Sequence, residues 1–168
     1  MIRPRAGDFL YSGEEFETMK ESLLAFAEAG ADGFVFGILD AEKNVDVGRN
    51  SELVKLAGRP CTFHRAFDEI SGEAMETALE ELVGCGFKAI LTSGGRATAV
   101  AGVDRLKELV GVSRGRIGII VGGGVRADNV GTLRAVTAAE YFHSSAIVGG
   151  GGGASLNEVT ALREVLRS

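Results

Sequence analysis

The chain has 168 residues and a formal net charge of −5 at pH 7. That length suits one domain burying about 70% of its unfolded surface, and the acidic balance argues against a nucleic-acid or anionic-membrane surface, for which a clustered basic face is expected. No run reaches the ~20 apolar residues of a membrane span and the N-terminus has no charged-then-apolar signal pattern, so a cytoplasmic protein with neither membrane nor nucleic-acid partner is expected.

Down the chain a unit of about 28 residues repeats in pattern: a short apolar run, a polar turn, an amphipathic helix and a small-residue stop, which is the alternation of a parallel sheet with helical crossovers. The first unit has Met1 to Arg5 as a strand. Ser12 with Glu15 three residues on reads as a capping box, and Phe16, Met19, Leu23, Leu24 and Phe26 recur at helical spacing until Gly30. The second strand is Gly33 to Leu39, followed by a charged loop and a helix through Leu53, Val54 and Leu56 that stops at Gly58. The third strand is Cys61 to Phe67, with a helix from about Gly72 to Val83. The fourth, Lys88 to Ser93, leads through Gly94, Gly95 and Arg96 to a helix containing Val103, Leu106, Leu109 and Val110. The fifth, Arg116 to Val121, runs into Gly122, Gly123 and Gly124 and then a helix through Val130, Leu133 and Val136. The sixth is Glu140 to His143, followed by Ser144 and Ser145, a glycine run over 149–153 expected to be flexible, and a closing helix capped by Ser155.

Six such units match a closed β/α barrel in unit length but not in number, since that fold uses eight units in about 250 residues. An open doubly wound sheet carries its glycine fingerprint after the first strand, and here the glycine cluster follows the fifth. The reading is therefore an α/β fold of TIM type, an incomplete β/α barrel of about six units with parallel strands, forming a single partial barrel domain over residues 1–168.

Polar residues gather at the C-terminal ends of the predicted strands, where β/α folds place their sites. If Cys61 to Phe67 is extended, Cys61, Phe63 and Phe67 pack one way while Thr62, His64 and Asp68 point the other. Arg3 and Arg5 share a face of the first strand; Thr92 and Ser93 end the fourth, Gly122 to Gly124 the fifth, and His143 the sixth. The bland reading of these residues is a satisfied core histidine, a structural Arg65/Asp68 pair and a turn needing positive φ. The functional reading is a pocket for a phosphate or carboxylate group: arginines for bidentate contacts, glycine N–H groups as an anion nest, and His64 as general acid or base, with Asp68 orienting a histidine or Arg65. The two cysteines, Cys61 and Cys85, have no CxxC spacing, so neither a zinc knuckle nor a disulfide framework is indicated. As a soft-metal site the cluster is poor, because Cu(I) prefers thiolate and thioether ligands and strand alternation turns Cys61 away from His64. Any metal ligands are unknown on this reading.

The segments Met1-Ile-Arg-Pro-Arg-Ala-Gly-Asp-Phe9, Ala31-Asp-Gly-Phe-Val-Phe-Gly37, Thr62-Phe-His-Arg-Ala-Phe-Asp68, Ile90-Leu-Thr-Ser-Gly94, Gly122-Gly-Gly-Val-Arg126 and Phe142-His143 closely resemble, in the same order, the copper homeostasis protein CutC family. The resemblance implies a TIM barrel and a cytoplasmic protein associated with copper tolerance, with copper as a possible ligand. It carries the family's signature positions onto Arg3, Arg5, His64, Arg65, Asp68, Thr92, Ser93, Gly122, Gly123, Gly124 and His143. It also implies a chain that starts within the family's third strand. The cysteines proposed as copper ligands, and an acidic residue of the second strand, belong to the preceding segment, and Cys61 and Cys85 do not correspond to them. Unpaired sheet edges would then favour a homodimer. Three functions follow as expectations: copper binding or trafficking, a small-molecule enzyme holding a small anionic ligand with His64 as acid or base, and a truncated, inactive family member.

Overall fold

The computed structural model describes residues 1–149 and 152–167; residues 150 and 151 of the glycine run lie outside the described residues. Two compact units, Met1–Ile90 and Leu91–Ser168, divide the chain within one strand.

In the first unit, helix α1 (Gly13–Glu28) starts where the sequence places it. Ser12 Oγ accepts from the Glu15 N–H at 3.2 Å and Glu15 Oε2 accepts from the Ser12 N–H at 2.8 Å, so both halves of the capping box form. Phe16, Met19 and Leu23 are buried by this helix, whereas Leu24 and Phe26, expected on the same face, are exposed. Strand β1 (Phe34–Phe36) pairs in parallel with β2 (Cys61–Phe63), Phe34 opposite Cys61. Strand β2 in turn pairs with the start of β3 (Ala89–Thr92), Thr62 opposite Ala89. Helices α2 (Val47–Ala57) and α3 (Met75–Cys85) supply the crossovers and stop at Gly58 and Gly86 in the left-handed conformation. Behind the strands, Phe36, Phe63 and Phe87 form an aromatic cluster with ring centroids 5.2 and 5.4 Å apart. Burial plus these edge contacts anchors β1 and β2 and fixes where their C-terminal ends emerge.

Two expectations are corrected here. Met1 to Arg5 is not a strand: Pro4 has no N–H to give a ladder, and the segment meets β1 through the Ile2 N–H donating to Val35 O at 2.8 Å. Nor is Cys61 to Phe67 extended throughout. The strand ends at Phe63, and Arg65–Glu69 form a short 3₁₀ helix with His64 as its N-cap. Phe67 is buried from the 3₁₀ helix, together with Ala66, and not by strand alternation.

In the second unit the end of β3 is followed by α4 (Val103–Ser113), β4 (Gly118–Val121), α5 (Val130–Thr137), β5 (Tyr141–Phe142) and α6 (Leu156–Arg167). Strand β4 pairs in parallel with β5, Ile120 opposite Tyr141, and the Gly122 N–H donates to Thr92 O at 2.9 Å. Leu106, Leu109, Ile119, Val121, Val130 and Leu133 form the buried filling. Ser155 caps α6, its hydroxyl accepting from the Glu158 N–H at 3.4 Å. The described residues thus hold five strands and six helices rather than six complete strand-helix units. The missing strand is the Met1 to Arg5 segment.

Candidate functional site

His64 sits where β2 gives way to the 3₁₀ helix, and its backbone N–H still donates to Phe36 O of the neighbouring strand at 3.0 Å. The imidazole is 4% exposed. Its Nδ1 accepts from the Ala66 N–H at 3.3 Å, and its ring packs on Phe9 with centroids 4.8 Å apart. Its Nε2 is buried with no hydrogen-bond partner. Such an atom costs roughly 1–3 kcal/mol when left unpaired, and a fold retaining one calls for an explanation. Burial, reinforced by the positive charge of Arg3, lowers the imidazole pKa from its ordinary 6.5 to about 4. His64 is therefore neutral at pH 7.

The loop after Pro4 brings Phe9 onto this ring. The Arg3 guanidinium lies over Phe9, 4.7 Å from its centroid, and donates to Gly7 O at 2.8 Å. Arg5 has a different role. It donates to Glu15 Oε1 at 2.5 Å and to Leu10 O at 2.7 Å, pairs with Asp8 at 2.8 Å, and lies over Tyr11. These partners tie the loop to the capping box of α1. Glu15 is held below the usual carboxylate range, first by the Ser12 N–H and then by Arg5. Tyr11 is buried, and its hydroxyl makes no hydrogen bond of standard geometry although the Arg3 charge lies near enough to favour its ionised form. Burial is the larger effect and raises the phenol pKa. Arg65 and Asp68, on the same 3₁₀ turn, form an ion pair at 2.7 Å. Beside the loop a cleft of about 400 Å³ is floored by Phe9, Leu10 and Leu39 and rimmed by Asp8, Asp40, Lys43 and Glu69.

The predicted residues of the second unit form their own cluster, and much of its hydrogen bonding is internal. Thr92 Oγ1 accepts from the Gly94 N–H at 2.9 Å, and Ser93 Oγ donates to Arg96 O. Gly123 and Gly124 have φ of +99° and +73°, the left-handed turn that glycine permits. Gly123 O accepts from the Ala99 N–H, and Gly124 O from Asn129 Nδ2. Arg126 donates to Val125 O, to Ser144 Oγ and to Ile147 O, which ties the loop after β4 to the segment after β5. Ahead of α5 the Ala127 N–H is already bound to the Glu158 carboxylate at 2.8 Å, so the chain supplies its own anion there. His143 follows β5 and is exposed.

Three residues of this unit were given no role by sequence reasoning. Phe9 closes the family-like segment Met1 to Phe9 without carrying a polar group of its own, and Tyr11 is a loop residue just beyond it. Gly37 packs against the imidazole so closely that a Cβ there would lie 2.8 Å from His64 Nδ1. Asn50 was also missed, though it carries a signal: with Leu53 and Ala57 it lies on the buried face of α2, a polar residue at an apolar position. Its side chain accepts from the Ile38 N–H at 3.2 Å and donates to Ile38 O at 2.8 Å, continuing β1 where the sheet stops.

The fold and the position of His64 at a strand end define a TIM-type β/α-barrel protein with fewer strands than a closed barrel. Residues 1–148 match the CutC family model, and the chain belongs to that family. It is 42% identical over 149 residues to a CutC family protein of Vibrio cholerae serotype O1, covering 87% of this chain. It is 45% identical over 146 residues to one of Porphyromonas gingivalis, covering 86%. The chain spans 58% of the length of these curated relatives. Among solved structures, the Streptococcus agalactiae protein described as copper homeostasis protein CutC superposes with a TM-score of 0.81 at 34% identity, covering 84% of this chain and 69% of that one. An aldolase, QR15, matches at a TM-score of 0.65 and 16% identity, covering 81% of this chain and 63% of its own, a likeness of fold alone.

Proposed function

We propose that this CutC family chain serves a small-molecule protein that binds a phosphate- or carboxylate-bearing ligand, with His64 as the residue that meets it and Arg3 supplying the positive charge. The observation that carries this reading is the buried Nε2 of His64, a polar atom the fold leaves unpartnered beside an arginine. An anionic oxygen there would remove the desolvation cost of that atom and interact with the Arg3 charge across little intervening water. Arg5, Thr92 and Ser93 support the loops in this scheme. In the second unit, taken by itself, Gly123 and Gly124 form a turn able to approach an anion, and His143 is exposed.

Copper binding is the second reading, supported by the description of the Streptococcus agalactiae relative. Cu(I) takes thiolate ligands. Both thiols here are buried, and burial pushes Cys61 up to about 11 and Cys85 upward as well. Among the described residues no three His, Cys, Asp or Glu side chains converge as a metal site. The donor set favours an oxyanion over a soft cation.

Isothermal titration calorimetry with inorganic phosphate, acetate and, under reducing anaerobic conditions, Cu(I) separates the two readings. The anion reading expects saturable phosphate or acetate binding that falls at least tenfold in His64→Asn, which keeps an acceptor for Ala66 but has no group at Nε2. Tight Cu(I) binding abolished by Cys61→Ser, with no anion binding, would replace it by the copper reading.

A further inference from the structure

We infer that Gly37 and the Ala66 N–H are positioning elements that lock His64 as its Nε2–H tautomer, making it a fixed hydrogen-bond donor to a ligand oxygen and neither a base nor a soft-metal ligand. Two observations carry this. The Ala66 N–H points at Nδ1, which must therefore present its lone pair. A neutral imidazole has one N–H, so the proton resides on Nε2, the atom without a partner. The opposite tautomer would set two N–H groups against each other at 3.3 Å.

Gly37 leaves the room that this ring position needs. Its Cα side lies against Nδ1, Cε1 and the Phe63 ring, where a Cβ would stand 2.8, 3.0 and 3.0 Å from those atoms. Phe9 closes on the imidazole at 4.8 Å, and Phe63 meets it edge-on at 6.1 Å. A side chain at position 37 would therefore have to displace the ring from the place where Nδ1 meets the Ala66 N–H. Arg3, the charged group facing it from the loop, further disfavours an imidazolium.

The chemical consequence is specific. A neutral N–H donor in a dry site polarises a carbonyl or stabilises a carboxylate or phosphate oxygen without surrendering its proton, a role buried neutral histidines can fill. A metal at Nε2 would require the proton to move to Nδ1, against the Ala66 N–H. What meets Nε2 depends on the anion reading given above; the tautomer does not.

Long-range ¹H–¹⁵N correlation of the imidazoles tests the lock directly. The chain has 2 histidines, so comparison with the His143→Gln variant assigns the His64 signals, and the pH series and ligand additions are then made on the wild type. A single Nε2–H tautomer, unchanged between about pH 5.5 and 8, is expected for the wild type. Gly37→Ala should lose the single-tautomer signature and shift the His64 titration upward toward its ordinary range; if that variant does not fold, the wild-type series decides alone. An Nδ1–H tautomer, or titration near 6.5, overturns the lock whatever ligands do. A downfield shift of the Nε2–H signal with acetate or phosphate supports both the lock and the anion reading. The correct tautomer with no response to either anion upholds the lock and removes the anion reading. Loss of the Nε2–H signal with Cu(I) overturns the lock.

Discussion

The surroundings of His64 and the glycine loop after β4 are both polar clusters at strand ends, but they treat their hydrogen bonds in opposite ways. Around Gly123 and Gly124, the carbonyls, the Arg126 guanidinium and the Ser144 hydroxyl bind one another, and Glu158 covers the Ala127 N–H. Around His64, an imidazole N–H is buried and left without a partner. Polar side chains that close on themselves build a loop. One that is buried and left open stores a cost a ligand can relieve. The difference ranks His64 above the hydroxyls and glycines as the place to look for function.

The largest expected effect lies in pH dependence. His64 has a folded pKa of about 4, below its ordinary 6.5. Stability from keeping it neutral is complete above 6.5. It declines as pH falls toward 4, because the unfolded chain takes up a proton the folded one refuses, by on the order of 3 kcal/mol in all. Urea unfolding across that window should show a steeper decline in the wild type than in His64→Asn, where only the carboxylates such as Glu15 contribute; parallel curves would place His64 in a hydrated, ordinary environment.

The contrasting cluster should respond to truncation and not to ligand. Arg126→Ala removes the donors to Val125, Ser144 and Ile147, and a loss of about 2 kcal/mol is expected, read as a shift of the urea midpoint with the m-value unchanged. A change below about 0.5 kcal/mol would mean that the loop does not depend on this guanidinium, and the comparison would lose one of its sides.

Much of this was legible in the sequence, and the exceptions have physical causes. The Ser12–Glu15 capping box and the helix stops at Gly58 and Gly86 are local, and they appear where the residues put them. The alternation of strands and helices was equally plain, because apolar runs bounded by glycine leave few other folds. The stretch after His64 was misread because Phe63 and Phe67 are four apart, a spacing that satisfies both an extended strand and a helical turn. Met1 to Arg5 has a strand-like pattern, but Pro4 denies it a ladder. His64 could be nominated from its residue type. Its tautomer, its unpaired Nε2 and its dependence on Gly37 could not, since each comes from a neighbour distant in sequence or from backbone geometry.

The most direct test of the central claim is the smallest effect: the change in unfolding free energy of wild type and His64→Asn when phosphate or acetate is added at ten times its dissociation constant. The account predicts a gain of about 1.4 kcal/mol for the wild type and none for the variant at the same concentration. An equal gain in both proteins, or none in the wild type with either anion, would contradict it and return His64 to the role of a buried structural residue.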